Sequence, residues 1–261
     1  MTAPRPKKRF GQHFLHDRAI VARIIDAFHP SDTDHVAEIG PGPGVLTREL
    51  ATRVRRFVAV EVDRDLAAAL TQEFADIGSV AIHEADALKF DFCQLCDDGE
   101  PLRLIGNLPY NISTPLLFHL FSQLHCVKDM LFMLQKEVVD RLCAVPDNKD
   151  YGRLSVMAQV QCRIERCFNV GPGAFQPPPK VDSAIVRLVP HETPPVDIKN
   201  AECFRRLVKA AFAQRRKTLR NTLKEFLDAE TMEAHGIDPG RRAETLSVAE
   251  FATLANAACQ Y

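Results

Sequence analysis

The sequence has 261 residues, 33 Lys and Arg against 34 Asp and Glu, a formal net charge of −1, 46 % hydrophobic and 26 % charged residues. This composition excludes collagen-like, disordered and disulfide-scaffold chains, and at roughly 150 residues per domain the length suits one large domain, alone or with a small appendage. No apolar run approaches the ~20 residues that cross a bilayer, and the near-zero charge taken alone argues against a strongly basic nucleic-acid binder.

Residues 1–14 form a basic N-terminal segment, and Met1–Phe10 contains prolines but no apolar core, so it does not read as a signal peptide. Asp17 and Asp26 interrupt a transit-peptide pattern, and the cytoplasm is the expected compartment. From there, short β-branched runs alternate with helical segments, the βαβα pattern of a mainly parallel sheet. The periodicity predicts strands at His35–Ile39, Phe57–Val62, Val80–Glu84, Leu102–Gly106 and Met130–Leu134, then near Ile164–Val170 and Ser183–Val189. It predicts helices at Arg18–Phe28, Val45–Thr52, Arg64–Phe74 and Pro115–Phe121, the last capped by Thr114. Pro194-Pro195 reads as a linker, dividing residues 1–192 from an all-helical second domain at 193–261. In that domain Ser247-Val-Ala-Glu250 is a capping box opening a helix from Val248 to about Ala258.

Eight cysteines are scattered along a chain too long to need disulfide staples, and they are expected to be reduced and unpaired. Cys93-x-x-Cys96 is the only metal-like spacing. It lacks a second Cys or His pair in sequence, so no metal is expected.

The first predicted strand runs into Gly40-Pro-Gly-Pro-Gly44 and then a helix. Glycine serves where backbone turns sharply and approaches a ligand without a Cβ in the way. Alone, the loop fits any nucleotide-cofactor site, or a turn that only packs; its spacing is not the Gly-x-Gly-x-x-Gly of dinucleotide binders. Glu38, Glu61 and Asp86 fall at or just past strand ends on the same sheet edge. An acid ending the second strand can accept both ribose hydroxyls, and Asp86 can accept from an adenine amino group. Carboxylates without a phosphate-cradling Lys suit a cationic cofactor better than a pyrophosphate.

Asn107-Leu-Pro-Tyr110 follows the fourth strand into the same crevice. An exocyclic adenine amine is a weak nucleophile because its lone pair is delocalised into the ring. The Asn107 oxygen and a carbonyl near Leu108 can accept both amine hydrogens and favour a pyramidal nitrogen facing a methyl donor. Pro109 fixes the backbone, and Tyr110 offers a ring on which a base stacks. A dinucleotide dehydrogenase has no use for these residues.

Together with Gln12-His-Phe-Leu15, Phe175-Gln-Pro-Pro-Pro-Lys-Val-Asp-Ser183 and Gln214-Arg-Arg-Lys-Thr-Leu-Arg-Asn221, these motifs resemble the rRNA adenine N6,N6-dimethyltransferases, in particular their bacterial small-subunit type, from about Lys8 to Ala258. The resemblance implies a Rossmann-like S-adenosylmethionine-dependent methyltransferase sheet with a small helical C-terminal domain. It implies dimethylation of two adjacent adenosines in the 3′-terminal hairpin of 16S rRNA, within the immature small subunit. It carries cofactor contacts onto His13, Leu15, Gly40, Gly42, Glu61, Asp86 and Asn107. It also makes Phe175, on an exposed proline-rich loop, the aromatic that sandwiches the flipped adenine opposite Tyr110. No obligate protein partner is implied, and a monomer is expected.

The net charge conceals its distribution. Met1–Phe28 holds six basic and two acidic residues, net +4; Lys199–Lys224 holds nine and one, net +8; the remainder carries −13. Lys209, Arg216, Arg220 and Lys224 recur at helical spacing opposite Phe204, Val208, Ala211 and Phe212, with Arg215 and Lys217 alongside. A solvated helix face reads the same way, but in a chain that also carries an adenine pocket these six cations are candidate phosphate contacts. Two alternatives remain: a 23S rRNA dimethyltransferase of the macrolide-resistance type, and a ribosome-assembly factor in which binding outweighs catalysis.

Overall fold

A computed structural model describes residues 12–96 and 99–259. The chain forms two compact units, Met1–Val139 with Glu165–Pro190, and Asp140–Ile164 with His191–Tyr261.

The first unit begins with β1 (Phe14–Leu15) and α1 (Arg18–Phe28) and continues through β2 (His35–Ile39), α2 (Val45–Leu50), β3 (Arg56–Glu61), α3 (Arg64–Glu73) and β4 (Val80–Glu84). After β5 (Leu102–Asn107), α4 (Ser113–Phe121) and β6 (Val127–Gln135), the chain enters α5 (Lys136–Cys143) and α6 (Arg153–Gln159). It returns through β7 (Cys162–Val170), β8 (Phe175–Gln176) and β9 (Ser183–Pro190). Seven strands form one sheet in the order β4-β3-β2-β5-β6-β9-β7, while β1 and β8 pair separately. The neighbours from β4 to β6 are parallel and β6 meets β9 antiparallel, as the alternating pattern predicts. Every residue of β2 is buried, because a parallel sheet is covered on both faces. The chain lays β3 and β4 on one side of β2 and then crosses to place β5 on the other. Strand order therefore reverses beside β2, which opens a crevice at the strands' carboxyl ends.

Helix α1 shows how sequence fixes local structure. Asp17 accepts from the Ala19 and Ile20 amides, and Val21, Ile24, Ile25 and Phe28 bury one face at i, i+3, i+4, i+7 spacing. Helix α4 starts at Ser113, one residue before the expected Thr114 cap, and its N-cap Ile112 makes no side-chain hydrogen bond. Pro115 still lies in the first turn, where its missing N–H costs nothing.

One buried ion cluster has no pattern in the sequence. Arg103 on β5 donates through Nε to Asp129 Oδ1 (2.7 Å), through Nη1 to Asp34 Oδ2 (2.5 Å) and His29 O (3.1 Å), and through Nη2 to Phe28 O (2.6 Å) and Asp129 Oδ2 (3.0 Å). All the donors of its guanidinium are engaged.

The second unit contains α6, α7 (Ala201–Ala211), α8 (Leu219–Thr222), α9 (Ala229–Ala234) and α10 (Val248–Ala258). Its core joins Phe204, Leu207 and Val208 of α7 with Phe251, Leu254 and Ala255 of α10. The expected division at 192/193 needs correction: Asp140–Ile164 also belongs to this unit. Fully buried Tyr151 meets Phe212 edge-on at 6.1 Å, and Phe212 meets Phe251 at 5.6 Å, so one aromatic row ties the inserted segment to the C-terminal helices. The Ser247–Glu250 capping box forms as expected.

The expectation of unpaired thiols is also corrected. Cys93 and Cys126, and Cys203 and Cys259, are disulfide-bonded. Folding brings their Cα atoms to 5.5 and 6.6 Å across 33 and 56 residues, proximity that spacing does not reveal. No helix among the described residues is long and apolar enough to cross a membrane.

Candidate active site

The crevice at the carboxyl ends of β2 to β5 is an open cleft of about 910 Å³, solvent-open space included, entirely within the first unit. It brings together His13, Leu15, Gly40, Gly42, Glu61, Asp86, Asn107, Leu108, Pro109 and Tyr110.

The glycine loop forms its floor. Gly42 has φ +56°, and a Cβ there would lie 3.3 Å from the Phe14 ring; a Cβ on Gly40, at φ +65°, would meet nothing within 4 Å. Gly42 is thus required by conformation and by the close approach of Phe14, whereas Gly40 faces open space. Sequence reasoning missed Phe14, which lines the cleft along with Val62, Ala87 and Ile112. Their apolar side chains carry no chemical signature, although each lies within a few residues of a motif that does.

The three acids occupy different environments. Glu38 is buried within β2 and not at its end; it accepts a 2.6 Å hydrogen bond from Thr47 Oγ1. Burial pushes its carboxyl up to about 8, the Thr47 bond opposing and the nearby Glu61 charge adding to the rise. The folded chain therefore holds this proton from the ordinary carboxylate range up to about pH 8, where the unfolded chain has released it. Stability falls as pH rises through that window and levels off above it. Glu38→Gln keeps an acceptor for Thr47 without the titration, so its melting temperature should decline less than wild type between about pH 5 and pH 9. Thermal melts across that range check this, and parallel curves would refute it.

Glu61 ends β3, buried, with Oε2 accepting from the Gly42 amide (3.0 Å) and Oε1 from the Asp63 amide (2.8 Å). Burial raises its carboxyl and these two backbone bonds oppose the rise. A carboxylate offers about four acceptor directions; with the Val62 amide as a third backbone donor, one direction is left for a ligand. Asp86 is half-buried past β4; its Oδ1 accepts from the Leu88 amide (3.0 Å) while the residue lines the cleft.

Asn107 ends β5 and donates through Nδ2 to the His13 carbonyl (3.0 Å). That bond uses one of the two Nδ2 hydrogens and orients the amide, leaving Oδ1 as its acceptor. The ring of His13 stacks on Tyr110 with centroids 5.6 Å apart, and its Nδ1 lies 2.8 Å from Pro177 O. The Tyr110 hydroxyl is held 2.6 Å from Ser183 Oγ, and Leu108 N–H donates to Met133 O. The Asn-Leu-Pro-Tyr turn is therefore held from three sides.

Two expectations are corrected. Phe175 is 1 % exposed, pairs with Leu15 in the β1–β8 ribbon, belongs to the hydrophobic core and does not line the cleft. The chain before the prolines is a strand and not an exposed loop, which turns the ring inward. The basic residues, in turn, do not share one helix. Helix α7 ends at Ala211, so Lys209 lies on α7, Arg215, Arg216 and Lys217 in the following turns, Arg220 on α8 and Lys224 beyond it. All six are exposed, but Arg215 donates to Glu244 (3.1 Å) and to the carbonyls of Lys149 and Tyr151. It braces the second unit internally.

Comparison with known proteins agrees with this architecture. The model of the ribosomal RNA adenine dimethylase family matches residues 4–260. A protein of Pseudomonas aeruginosa named ribosomal RNA small subunit methyltransferase A is 53 % identical over 252 residues, 97 % of this chain and 94 % of that one. The protein of the same name from Methylococcus capsulatus is 56 % identical over 249 residues, 95 % of this chain and 96 % of that one. Among solved structures, a dimethyladenosine transferase from Plasmodium falciparum superposes with TM-score 0.79 at 26 % identity, covering 93 % of this chain and 96 % of that one. The 23S rRNA methyltransferase ErmE gives 0.71, also at 26 %, covering 95 % and 100 %. The sheet is accordingly the Rossmann-like sheet of rRNA methyltransferases.

Proposed function

The chain belongs to the ribosomal RNA adenine dimethylase family and is a methyltransferase that uses S-adenosylmethionine, and on that premise we propose that it dimethylates the N6 amines of two adjacent adenosines in the 3′-terminal hairpin loop of 16S rRNA during small-subunit assembly. The observation that carries this reading is the fixed Asn107 amide beside the Tyr110 ring: an acceptor and a stacking surface side by side in one cleft.

The residues fit the cofactor. Glu61 keeps an acceptor direction for a ribose hydroxyl, Asp86 suits an adenine amine, and the space above Gly40 admits a ligand against bare backbone. His13, Leu15 and Gly42 complete that side of the cleft. When bound, S-adenosylmethionine supplies an electrophilic methyl group on a sulfonium. Asn107 Oδ1 accepts a hydrogen bond from the target amine, drawing the nitrogen lone pair out of conjugation with the ring. Pro109 holds the turn that aims the Leu108 carbonyl at the second hydrogen. Tyr110 stacks on a base flipped from an RNA loop, and its hydroxyl bond to Ser183 keeps the ring from swinging away. No general base is needed before attack, because the proton leaves after the nitrogen becomes cationic.

Lys209, Arg216, Lys217, Arg220 and Lys224 are the phosphate contacts of this reading; Arg215 is left out because its bonds lie within its own unit. Replacing Arg216, Lys217 and Arg220 together with Ala should weaken binding of small-subunit RNA. It should also flatten the slope of log K against log salt by about 2, with little change in melting temperature. An unchanged salt slope would remove these residues from the interface.

The full reading is tested by primer extension across 16S rRNA from cells with and without this gene. The expected result is loss of the stop at two adjacent 3′-end adenosines on deletion; a stop that persists would refute the substrate. The small-subunit name of relatives above 50 % identity favours this acceptor over 23S rRNA. Preferred methylation of naked large-subunit RNA would reverse that choice. Rescue of assembly by a catalytically dead variant would add a binding role. The enzyme acts in this reading as a cytoplasmic monomer.

A further inference from the structure

The Cys-x-x-Cys pair that stands alone in the sequence acquires a complement in the fold. Cys93 lies on the 3-10 turn Phe92–Leu95 and Cys96 directly after it, while His125 and Cys126 end a second such turn, Leu124–Cys126. The two turns are pinned together by Gln123: its Oε1 accepts from the Phe92 amide (2.6 Å) and its Nε2 donates to Phe90 O (3.2 Å). Its backbone carbonyl lies 3.4 Å from Cys93 Sγ and 3.0 Å from Cys126 Sγ. The ligand atoms of Cys93, His125 and Cys126 all fall within 4.8 Å of one another, and Cys96 Sγ is 3.7 Å from Cys126 O. None of these four residues lines the methyltransferase cleft.

We propose that Cys93, Cys96, His125 and Cys126 form a thiolate-rich site for a zinc-class divalent cation, open to the metal when the Cys93–Cys126 bond is reduced. Zinc takes Cys sulfur at about 2.3 Å and His nitrogen at about 2.0 Å in a tetrahedron, which puts ligand atoms roughly 3.3–3.8 Å apart. Three ligand atoms of the set already lie within 4.8 Å of one another, and Cys96 directly follows the turn that holds Cys93. The disulfide accounts for the closeness of two of these groups but not for Cys96 and His125 at the same turns. Reduction by an external dithiol transfers two electrons and two protons to the Cys93–Cys126 bond, giving two thiols and oxidising the dithiol to its own disulfide. The cation then displaces the thiol protons to solvent, and soft sulfur ligands favour zinc over magnesium or calcium. The site lies away from the cleft, so this inference stands independently of the RNA substrate.

The test is titration of the full-length, metal-free, fully reduced protein with Co²⁺ alone, under exclusion of air, followed by competition with Zn²⁺. The expected result is saturation at a single equivalent with intense visible bands of tetrahedral cobalt and a sulfur-to-cobalt charge-transfer band, all erased by Zn²⁺. Cys96→Ser and His125→Ala should each weaken or alter these bands, while Cys203→Ser should leave them unchanged. Absence of thiolate bands in the wild-type chain would overturn the proposal whatever the variants do. So would wild-type bands in both Cys96→Ser and His125→Ala, confirmed as folded by circular dichroism. The wild-type spectrum decides even where a variant fails to fold.

Discussion

Asn107→Ala lowers the rate of methyl transfer to small-subunit RNA by about 100-fold or more, the usual cost of removing one preorganised polar group from a reaction centre, while the protein still folds. The side chain has two polar ends with separate tasks. Nδ2 ties the β5 terminus to the His13 carbonyl, and Oδ1 is the acceptor of a residue that lines the cleft. Alanine removes both, so a second variant separates them. Asn107→Asp keeps an acceptor but no longer donates to His13. If Oδ1 holds the reacting amine, the Asp variant retains measurably more activity than the Ala variant; if the tie to His13 is the whole contribution, the two fall equally. Single-turnover transfer of labelled methyl groups, with circular dichroism as the fold control, distinguishes these results. Full activity of Asn107→Ala would remove Asn107 from the mechanism.

Arg103→Leu produces the largest loss of stability, about 3–5 kcal/mol, measured by chemical denaturation. The size follows from what remains. Asp34 and Asp129 stay buried without the guanidinium they share, keeping only Lys128 at 3.6 Å and Arg187 as cations, and the carbonyls of Phe28 and His29 lose their donor. Against a total stability of roughly 5–15 kcal/mol for a domain, that loss is a large share. Arg103→Lys should recover only part of it, because a point ammonium cannot reach five acceptors spread around a planar fork. The same cluster sets an acid response. Burial raises the Asp34 carboxyl, but the hydrogen bonds from Arg103 and Ser31 and the Arg103 charge bring it below its ordinary value. Its contribution is therefore present above the ordinary carboxylate range and is lost as pH falls through the depressed value. A variant without Arg103 should lose this part of the acid sensitivity.

Elements with regular periodicity or a chemical boundary signal were legible from the sequence: α1 from its apolar spacing, β2 ahead of the glycine loop, and α10 behind Ser247. The cleft was legible for a related reason. A parallel sheet puts successive strand ends on one edge, so motifs that follow strands converge without knowledge of any contact. Other features depend on partners distant in sequence. β1 and β8 are two residues each, too short for a period. α5 follows β6 without an intervening turn residue, and α6 has no side-chain cap at Gly152. Phe175 was misread because a phenylalanine near prolines looks the same whether it faces solvent or the core. The cysteine pairs span 33 and 56 residues, and only the folded chain shows which sulfurs meet.

The His13 wall also constrains the order in which this protein becomes competent. The ring contact from His13 to Pro177 spans 164 positions, and the β1–β8 ribbon bridges nearly the same interval. During synthesis the glycine loop and the Asn-Leu-Pro-Tyr turn emerge early, yet one side of their cleft waits for a segment made much later. Such long-range closure is entropically costly and slow. A nascent chain released before Phe175 carries the glycine loop and the Asn-Leu-Pro-Tyr turn but lacks the strand that pairs with β1. Competence is conferred in the last third of translation, when β1 finds its partner about two thirds of the way along the chain.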